Sequence, residues 1–186
     1  MNRIHRWLCR SSRWGKMLDE IIVPWVLSDV ALGDEVLEVG PGPGLTTDLL
    51  KSRTARLTAL EIDPALAYAL STRLAGSNVA VVQGDATAMP LKSGQFSGAV
   101  SFTMLHHVPS PALQDRLLRE VRRTLKPGGV FAGVDSLQSF GMRVLHLWDT
   151  LVPVDPDGFR ARLESAGFSD PFVEANEHAF RFHARA

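Results

Sequence analysis

The sequence predicts an α/β protein built on a parallel, doubly wound sheet, and three observations support this. Apolar runs of strand length alternate with helical patterns from about residue 34 to residue 135. The first run, Val36–Val39, leads into a glycine-rich loop and then a helix. Polar residues follow the carboxyl ends of the runs. Strands that alternate with helices form parallel sheets, and such sheets bind ligands outside the carboxyl ends of their strands.

The predicted elements follow one another regularly along the chain. We predict buried strands at residues 36–39, 57–60, 79–82, 96–102 and 130–134, and helices at residues 3–28, 45–52, 64–74, 113–125 and 156–167. Pro24 is expected to kink or restart the first helix. Residues 126–129 are predicted to form a turn, residues 136–154 contain a possible short helix, and the tail is expected to form a hairpin turned at Asn176.

The composition is that of an ordinary globular domain. Of 186 residues, 45% are apolar and 22% are charged, and the formal net charge is zero. One domain with a sizeable core is expected. Residues 1–16 hold five basic residues and no acid, which predicts a basic helical face rather than a membrane or nucleic-acid arm. Cys9 alone excludes an internal disulfide and a cysteine-rich metal site. Neither a transmembrane run nor a signal-peptide core is visible, so we expect a cytoplasmic protein without stable membrane insertion.

The loop Gly40-Pro41-Gly42-Pro43-Gly44 allows close approach of a ligand to the backbone, because glycine has no Cβ. Phosphate binding requires successive N–H donors, and proline has none. The two prolines therefore favour a ligand that places no phosphate at this loop, such as a nucleoside.

Two acids follow the next two strands. Glu61 can accept from two ribose hydroxyls at once, and Asp85 can accept from an exocyclic amine while the N–H of Ala86 faces a ring nitrogen. Each acid alone could equally be a solvated loop residue or a turn residue. Together, at successive strand ends, they predict an adenosine site.

Five motifs in this order resemble those of the class I S-adenosylmethionine-dependent methyltransferases, in particular small enzymes related to the ubiquinone/menaquinone C-methyltransferases. The motifs are Glu38–Gly44, Glu61–Asp63, Gly84–Ala86, Leu105–Val108 and Leu125–Gly129. The resemblance covers about residues 34–135. It implies a three-layer α/β/α sandwich with a Rossmann-like, seven-stranded sheet whose last strand is antiparallel. It also implies one methyltransferase domain, with residues 1–33 as a helical active-site cover and residues 34–186 as the cofactor-binding core.

The resemblance further implies S-adenosylmethionine as cofactor and S-adenosylhomocysteine as product. Phe102 stands where many relatives have a polar cofactor contact, and Ser97 stands where relatives often have an aspartate, which is expected to weaken a structural hydrogen bond. The remaining implied roles are ammonium binding by Glu38, contact with methionine by Gly40, Gly42 and Gly44, ribose binding by Glu61, packing on adenine by Ile62, and recognition of the adenine edge by Asp85 and Ala86.

His106 and His107 are the candidate catalytic residues. A histidine within reach of a phenol or an acidic carbon could remove its proton. The alternative is that these histidines only pack beside the cofactor.

The acceptor is expected to be a small molecule with an apolar or aromatic part. Family members cover their active sites with segments that correspond here to the N-terminal helix and residues 136–154. No Asn-Pro-Pro-Tyr-type motif follows the fourth strand, which disfavours N-methylation of DNA or of glutamine. We expect no nucleic-acid partner and no metal site. The candidate lining residues are Trp7, Trp14, Trp25, Phe140, Met142, His146 and Trp148, which could equally be core residues.

Three alternatives remain at the level of sequence. A nicotinamide-dependent oxidoreductase also needs a glycine loop and an acid, but its fingerprint is G-x-G-x-x-G, and it leaves Asp85 unexplained. An aminopropyl transferase would need an acidic polyamine pocket that is not evident. A non-catalytic, regulatory S-adenosylmethionine-binding protein is compatible with every motif. The acceptor atom and the oligomeric state stay open.

Overall fold

A computed structural model describes residues 11–139 and 149–186 of the chain. Its centre is a seven-stranded sheet with the order β3-β2-β1-β4-β5-β7-β6. The pairs β1–β2, β2–β3, β1–β4 and β4–β5 are parallel, and β7 runs antiparallel to both of its neighbours. The expected seven-stranded sheet with an antiparallel last strand is confirmed. The strands are β1 Glu35–Val39, β2 Arg56–Glu61, β3 Val79–Gln83, β4 Phe96–Phe102, β5 Leu125–Ser136, β6 Ser169–Ala175 and β7 Ala179–Arg185.

Helices cover both faces of the sheet, as the three-layer prediction requires. On one face, Val23 and Leu50 pack with Val36, and Leu70 packs on Ala59. On the other face, Leu117 and Leu163 pack into the larger core. The helices are α1 Ser12–Met17, α2 Val23–Leu27, α3 Leu45–Leu50, α4 Pro64–Arg73, α5 Pro111–Thr124 and α6 Pro156–Ser165; α2–α4 pack on the first face and α5 and α6 on the second.

Capping residues explain where the three longer helices begin. The side chains of Asp63, Ser110 and Asp155 accept hydrogen bonds from N–H groups in the first turns of α4, α5 and α6. Each cap precedes a proline, whose missing N–H is harmless at that position. The described part of the N-terminal helix is interrupted by a π-helical stretch, Leu18–Ile22, and α2 begins beside Pro24 as predicted.

Two predictions about strands were wrong. β3 is not a buried strand: it forms an edge of the sheet, and none of its residues is fully buried. Its apolar run therefore reflects β-propensity and one half-covered face. The segment Lys126–Gly129 is not a separate turn but part of β5, where the pairing register with β4 shifts between Phe96 and Gly98. Gly128 adopts φ +76° there and donates its N–H to the Ala186 carbonyl.

The C-terminal hairpin is confirmed. Asn176 forms its turn, because its side-chain oxygen accepts from the N–H groups of His178 and Ala179. Phe180 and Phe182 are fully buried on one face of β7, which inserts between β5 and β6. The possible short helix in residues 136–154 falls largely on residues outside the described ranges. Within those ranges, no helix combines the length and apolarity needed to cross a membrane.

Candidate functional site

A cavity of about 390 Å³ opens where β1, β2, β3 and β4 end. This is the edge at which parallel sheets bind ligands. Among the residues predicted for the site, eight line the cavity and three do not. Glu38, Gly44 and His106 lie outside its lining, and the lining includes Gly40, Gly42, Glu61, Ile62, Asp85, Ala86, Phe102 and His107.

The backbone N–H groups of the glycine loop donate hydrogen bonds within the protein. The N–H groups of Gly40, Gly42 and Gly44 donate to the Leu60 carbonyl, the Glu61 carboxylate and the Pro41 carbonyl. Pro41 and Pro43 have no N–H. Each residue of the loop therefore either donates its N–H to another group of the protein or has no N–H. This argues against a phosphate ligand at the loop, and so against the nicotinamide-dependent alternative.

Glu61, at the end of β2, is 5% exposed and faces the cavity. Its Oε2 accepts from the N–H of Gly42 and its Oε1 from the N–H of Asp63, each at 2.9 Å. A carboxylate has about four acceptor positions. Both oxygens thus keep capacity for a pair of hydroxyls, while the two backbone bonds fix the direction of the side chain.

Asp85 and Ile62 follow the ends of the neighbouring strands β3 and β2, and both line the cavity. Asp85 Oδ1 accepts from the N–H of Thr87 at 2.7 Å, and Oδ2 accepts no hydrogen bond from the part of the chain that the structure describes. Ile62 is 64% exposed and offers an apolar surface. Together with Ala86, they form a half-polar, half-apolar wall that suits a flat heterocycle.

Glu38 is buried under the loop rather than in the cavity wall. Its carboxylate accepts from the hydroxyl of Thr46 and, at 2.6 Å, from the hydroxyl of Thr47. Burial raises the pKa of Glu38 to about 7 against the lowering effect of these hydrogen bonds. Thr46 itself lines the cavity, so any influence of Glu38 on a ligand passes through that residue.

Gly44 has a packing role. It is the N-cap of α3 at φ +87°, and a Cβ there would lie 2.3 Å from Leu70 and 2.6 Å from the Arg73 guanidinium. Arg73 in turn binds Asp48 at 2.6 Å and donates to the carbonyls of Pro43 and Gly44. This position therefore joins the loop to α4.

The two adjacent histidines have different environments. His107 lines the cavity, whereas His106 is 2% exposed and lies against Asp135 at the end of β5. Nδ1 of His106 is 2.5 Å from Asp135 Oδ1, and the two imidazole rings lie 4.3 Å apart. The geometry therefore leaves His107 as the candidate base.

The part of the lining that includes His107 is mixed and comes from several segments: Asp149, which interacts electrostatically with His107, and Thr150 lie in it together with apolar side chains. Trp14 and Leu18 reach it from the N-terminal helix, and Met104, Val108 and Leu113 reach it from the chain after β4. Trp25 lies elsewhere, under the guanidinium of Arg181 at 5.7 Å. The other aromatic and histidine candidates, Trp7, Phe140, Met142, His146 and Trp148, lie outside the described residues.

Sequence reasoning missed Thr46, Thr47, Thr103 and Asp135. Asp135 had a visible signal, since it is the acid that follows the apolar run of β5, as Glu61 and Asp85 follow theirs. The threonines had none, because their roles depend on contacts across the fold. Ser97 does make hydrogen bonds across strands: its hydroxyl accepts from the Glu35 N–H and donates to the Glu35 carbonyl, and the weakening expected there stays a prediction.

Known proteins with similar sequences are methyltransferases. The chain is 31% identical over 131 residues to ubiquinone biosynthesis O-methyltransferase of Pseudomonas aeruginosa, a match that covers 67% of this chain and 55% of that protein. It is 35% identical over 95 residues to a probable ribosomal RNA small subunit methyltransferase A of Pyrococcus furiosus, covering 51% of this chain and 34% of that one. The chain spans about half the length of the former and about a third of the latter.

The fold is shared with solved methyltransferases. A crystal structure of an S-adenosylmethionine-dependent methyltransferase from Mesorhizobium loti matches with a TM-score of 0.73 at 16% identity, covering 88% of this chain and 96% of that one. The sequence pattern of the family described as "Methyltransferase domain" matches residues 37–133, which hold all the described strand ends around the cavity. The chain therefore belongs to the class I S-adenosylmethionine-dependent methyltransferases.

Proposed function

We propose that this protein transfers a methyl group from S-adenosylmethionine to a small acceptor that has an apolar or aromatic part. The observation that carries the proposal is the composition of one cavity. Its lining joins the acids at the ends of β2 and β3 and the glycine loop to His107 and a group of apolar side chains.

The residues present fit the family's cofactor. Gly42 adopts φ +55°, and a Cβ there would meet no atom within 4 Å, so the loop leaves space that a ligand can fill. Glu61 has two oxygens with acceptor capacity for the ribose, and Asp85 Oδ2 can accept from the adenine amine. Ile62 and Ala86 would border the adenine ring.

The bound cofactor supplies an electrophilic methyl group on a positively charged sulfur. The protein's own task is to orient the acceptor, exclude water and handle a proton. The apolar side chains of the lining suit a reaction in which the positive charge on sulfur disappears. Trp14, Leu18 and Met104 would exclude water on the acceptor side.

His107 would act as the general base for an acceptor that must lose a proton. Its imidazole would take the proton that the acceptor's oxygen or carbon loses when that atom receives the methyl group. For an acceptor without such a proton, the imidazole would only position it.

A small molecule is a better substrate for this site than RNA. The chain has a formal net charge of zero, so the molecule as a whole exerts no electrostatic attraction on a polyanion. The described lining of the cavity holds four carboxylates and no lysine or arginine, so it offers little attraction to a phosphate backbone. The ribosomal RNA methyltransferase among the similar proteins makes RNA the substrate to exclude by experiment.

The test is methyl transfer with a radiolabelled methyl group on the cofactor. One set of reactions offers phenols and catechols with and without an alkyl chain, and another offers purified ribosomal RNA. We expect label in a low-mass, organic-extractable product, and a loss of at least ~100-fold in kcat for His107→Ala, as for a missing general base. Label confined to RNA, or no label in any product, would contradict the proposal.

The cofactor half of the proposal has its own measurement. Calorimetry with S-adenosylhomocysteine should show that Glu61→Ala weakens binding by about 1–3 kcal/mol, the value for a lost charged hydrogen bond. Glu35→Ala is the matched control, since Glu35 lies at the opposite end of β1 and pairs with Arg56 and Lys126. Equal affinities of the two variants would remove Glu61 from the ribose site.

A further inference from the structure

We propose that Asp135 and His106 form a positioning pair that holds the turn from Thr103 to His107 against the cavity and thereby fixes where the His107 imidazole stands. The inference rests on the proposed role of His107 as base. Its evidence is the way β5 holds both halves of this turn.

The turn begins in a conformation that needs support. Thr103 has φ +50°, in the left-handed region that a β-branched residue rarely enters. Such a conformation is strained for this residue type and persists where its surroundings enforce it. Thr103 lines the cavity, and the next residue, Met104, packs over Gly40. The strained residue thus lies directly between the sheet and the ligand cavity.

β5 provides the enforcing contacts at two consecutive residues. The carbonyl of Val134 accepts the Thr103 N–H at 2.8 Å. The Asp135 carboxylate then accepts the His106 N–H on Oδ2 at 3.1 Å and approaches the His106 ring on Oδ1 at 2.5 Å. The first and fourth residues of the turn are therefore both held by β5.

The pair also has a defined direction of donation. Asp135 Oδ1 accepts the Ser136 N–H at 2.7 Å, so the carboxylate acts as an acceptor toward the backbone on both oxygens. The His106 ring nitrogen that faces it is then the donor, with the proton on Nδ1. Both side chains are at least 97% buried, which keeps water from replacing this contact.

A second set of bonds holds the turn from the side of α5. Gln114, 1% exposed, donates to the carbonyls of Leu105 and Val152, and the Val152 N–H donates to the His106 carbonyl. The oxygen of Gln114 accepts from Arg162 of α6. The turn that carries His107 is thus fixed on two sides, and the ring of His106 lies beside that of His107.

The test compares two substitutions of one residue. In His106→Asn, the amide nitrogen can replace Nδ1 as donor to Asp135, whereas His106→Leu has no donor and leaves the carboxylate buried without this partner. We expect His106→Asn to keep kcat within about threefold. We expect His106→Leu and Asp135→Asn to lose on the order of tenfold to a hundredfold in kcat, as for a misplaced catalytic group. Acceptor KM and the affinity for S-adenosylhomocysteine should change by less than about threefold.

Ser97→Ala is the matched control for lost stability. Ser97 lies at the other end of β4 and also makes hydrogen bonds across strands, to Glu35. We expect it to lower the unfolding midpoint while kcat stays unchanged. If kcat falls in parallel with stability in all variants, the pair has a merely structural role and the inference fails.

A spectroscopic measurement separates this inference from the proposed function. Nitrogen-15 histidine spectra of the protein without cofactor should show the proton of His106 on Nδ1. In Asp135→Asn the resonances of His107 should move, and in Ser97→Ala they should not. Unmoved His107 resonances, or equal losses of kcat in His106→Asn and His106→Leu, would overturn the positioning role. If the unmutated protein methylates no acceptor, the proposed function is wrong. The histidine spectra would still test the positioning role, because they do not depend on turnover.

Discussion

Glu38 and Glu61 are both buried carboxylates on neighbouring parallel strands, yet their surroundings give them different capacities. Glu61 is held by two backbone N–H groups and faces the cavity. Glu38 is held by two threonine hydroxyls and lies behind the wall. Backbone donors leave Glu61 rigid and open to hydroxyls, whereas the pKa of Glu38 is raised to about 7 by burial.

The raised pKa of Glu38 predicts a pH-dependent stability. From its ordinary value of 4.5 up to about 7, the folded chain keeps a proton at Glu38 that the unfolded chain has lost. Stability from this group is therefore fully present below pH 4.5 and is lost as the pH rises through 7. Between about pH 5 and pH 8 the loss should be on the order of 2–3 kcal/mol.

Urea unfolding of the native chain and of Glu38→Gln across this range isolates the contribution. The variant cannot titrate at this position, so the difference between the two unfolding free energies should change with pH in the stated direction. Parallel profiles would mean that Glu38 is ionised in the folded protein throughout.

At the scale of elements, the glycine loop and α4 are joined at Gly44. The sequence indicated that the loop needs glycines for close approach of a ligand, but it could not show that the third glycine serves helix packing. Its missing Cβ makes room for Leu70 of α4, and Arg73 of α4 holds the loop carbonyls. The reason is tertiary, since α4 lies about 20 residues further along the chain.

Two glycine substitutions test this assignment. Gly44 and Gly76 have similar φ angles of +87° and +80°, but a Cβ at Gly76 would meet no atom within 4 Å. Gly76→Ala should lower the free energy of unfolding by about 1 kcal/mol, from the strain of the left-handed conformation alone. Gly44→Ala should lower the free energy of unfolding by about 2–4 kcal/mol, because displacement of Leu70 and Arg73 adds to that strain. Equal losses in denaturant unfolding would show that α4 yields freely to the added methyl group.

The sequence predicted most elements because their signals are local. Proline after a capping aspartate marks the starts of α4 and α6, and the apolar spacing in α5 marks its buried face. β3 and Lys126–Gly129 were mispredicted because the deciding facts are long-range. An apolar run looks alike in a central and an edge strand, and Pro127 with two glycines suggests a turn unless the partner strand is known.

At the scale of the whole molecule, β7 completes the core. It enters between β5 and β6, and its buried face packs against α6 and β5. The Phe182 ring makes edge contacts with Phe131 and Phe159, at centroid distances of 5.0 Å and 4.9 Å. Gly133 faces the same ring, and a Cβ there would lie 2.6 Å from it. The Phe182 ring therefore fills the space above Gly133, which has no room for a larger side chain.

Phe182→Ala should therefore destabilise the whole domain by about 3–5 kcal/mol, the range for a phenylalanine removed from a core. Phe172 on the adjacent strand is the comparison, because it is only half-buried, with its ring stacked on His183 at 4.8 Å. Phe172→Ala should lose less than about 2 kcal/mol. Similar losses in urea unfolding would place the centre of the core away from β7.

The sequence by itself determined the fold class, the confirmed seven-stranded sheet and the family, since these depend on local patterns and ordered motifs. It also predicted which strand ends carry the acids of the site. The tertiary structure decided what each residue can reach. It placed Glu38 behind the wall, paired His106 with Asp135 and left His107 at the cavity. The physical reason is that burial and hydrogen-bond partners come from segments far apart in the chain, and a residue's chemistry depends on those neighbours.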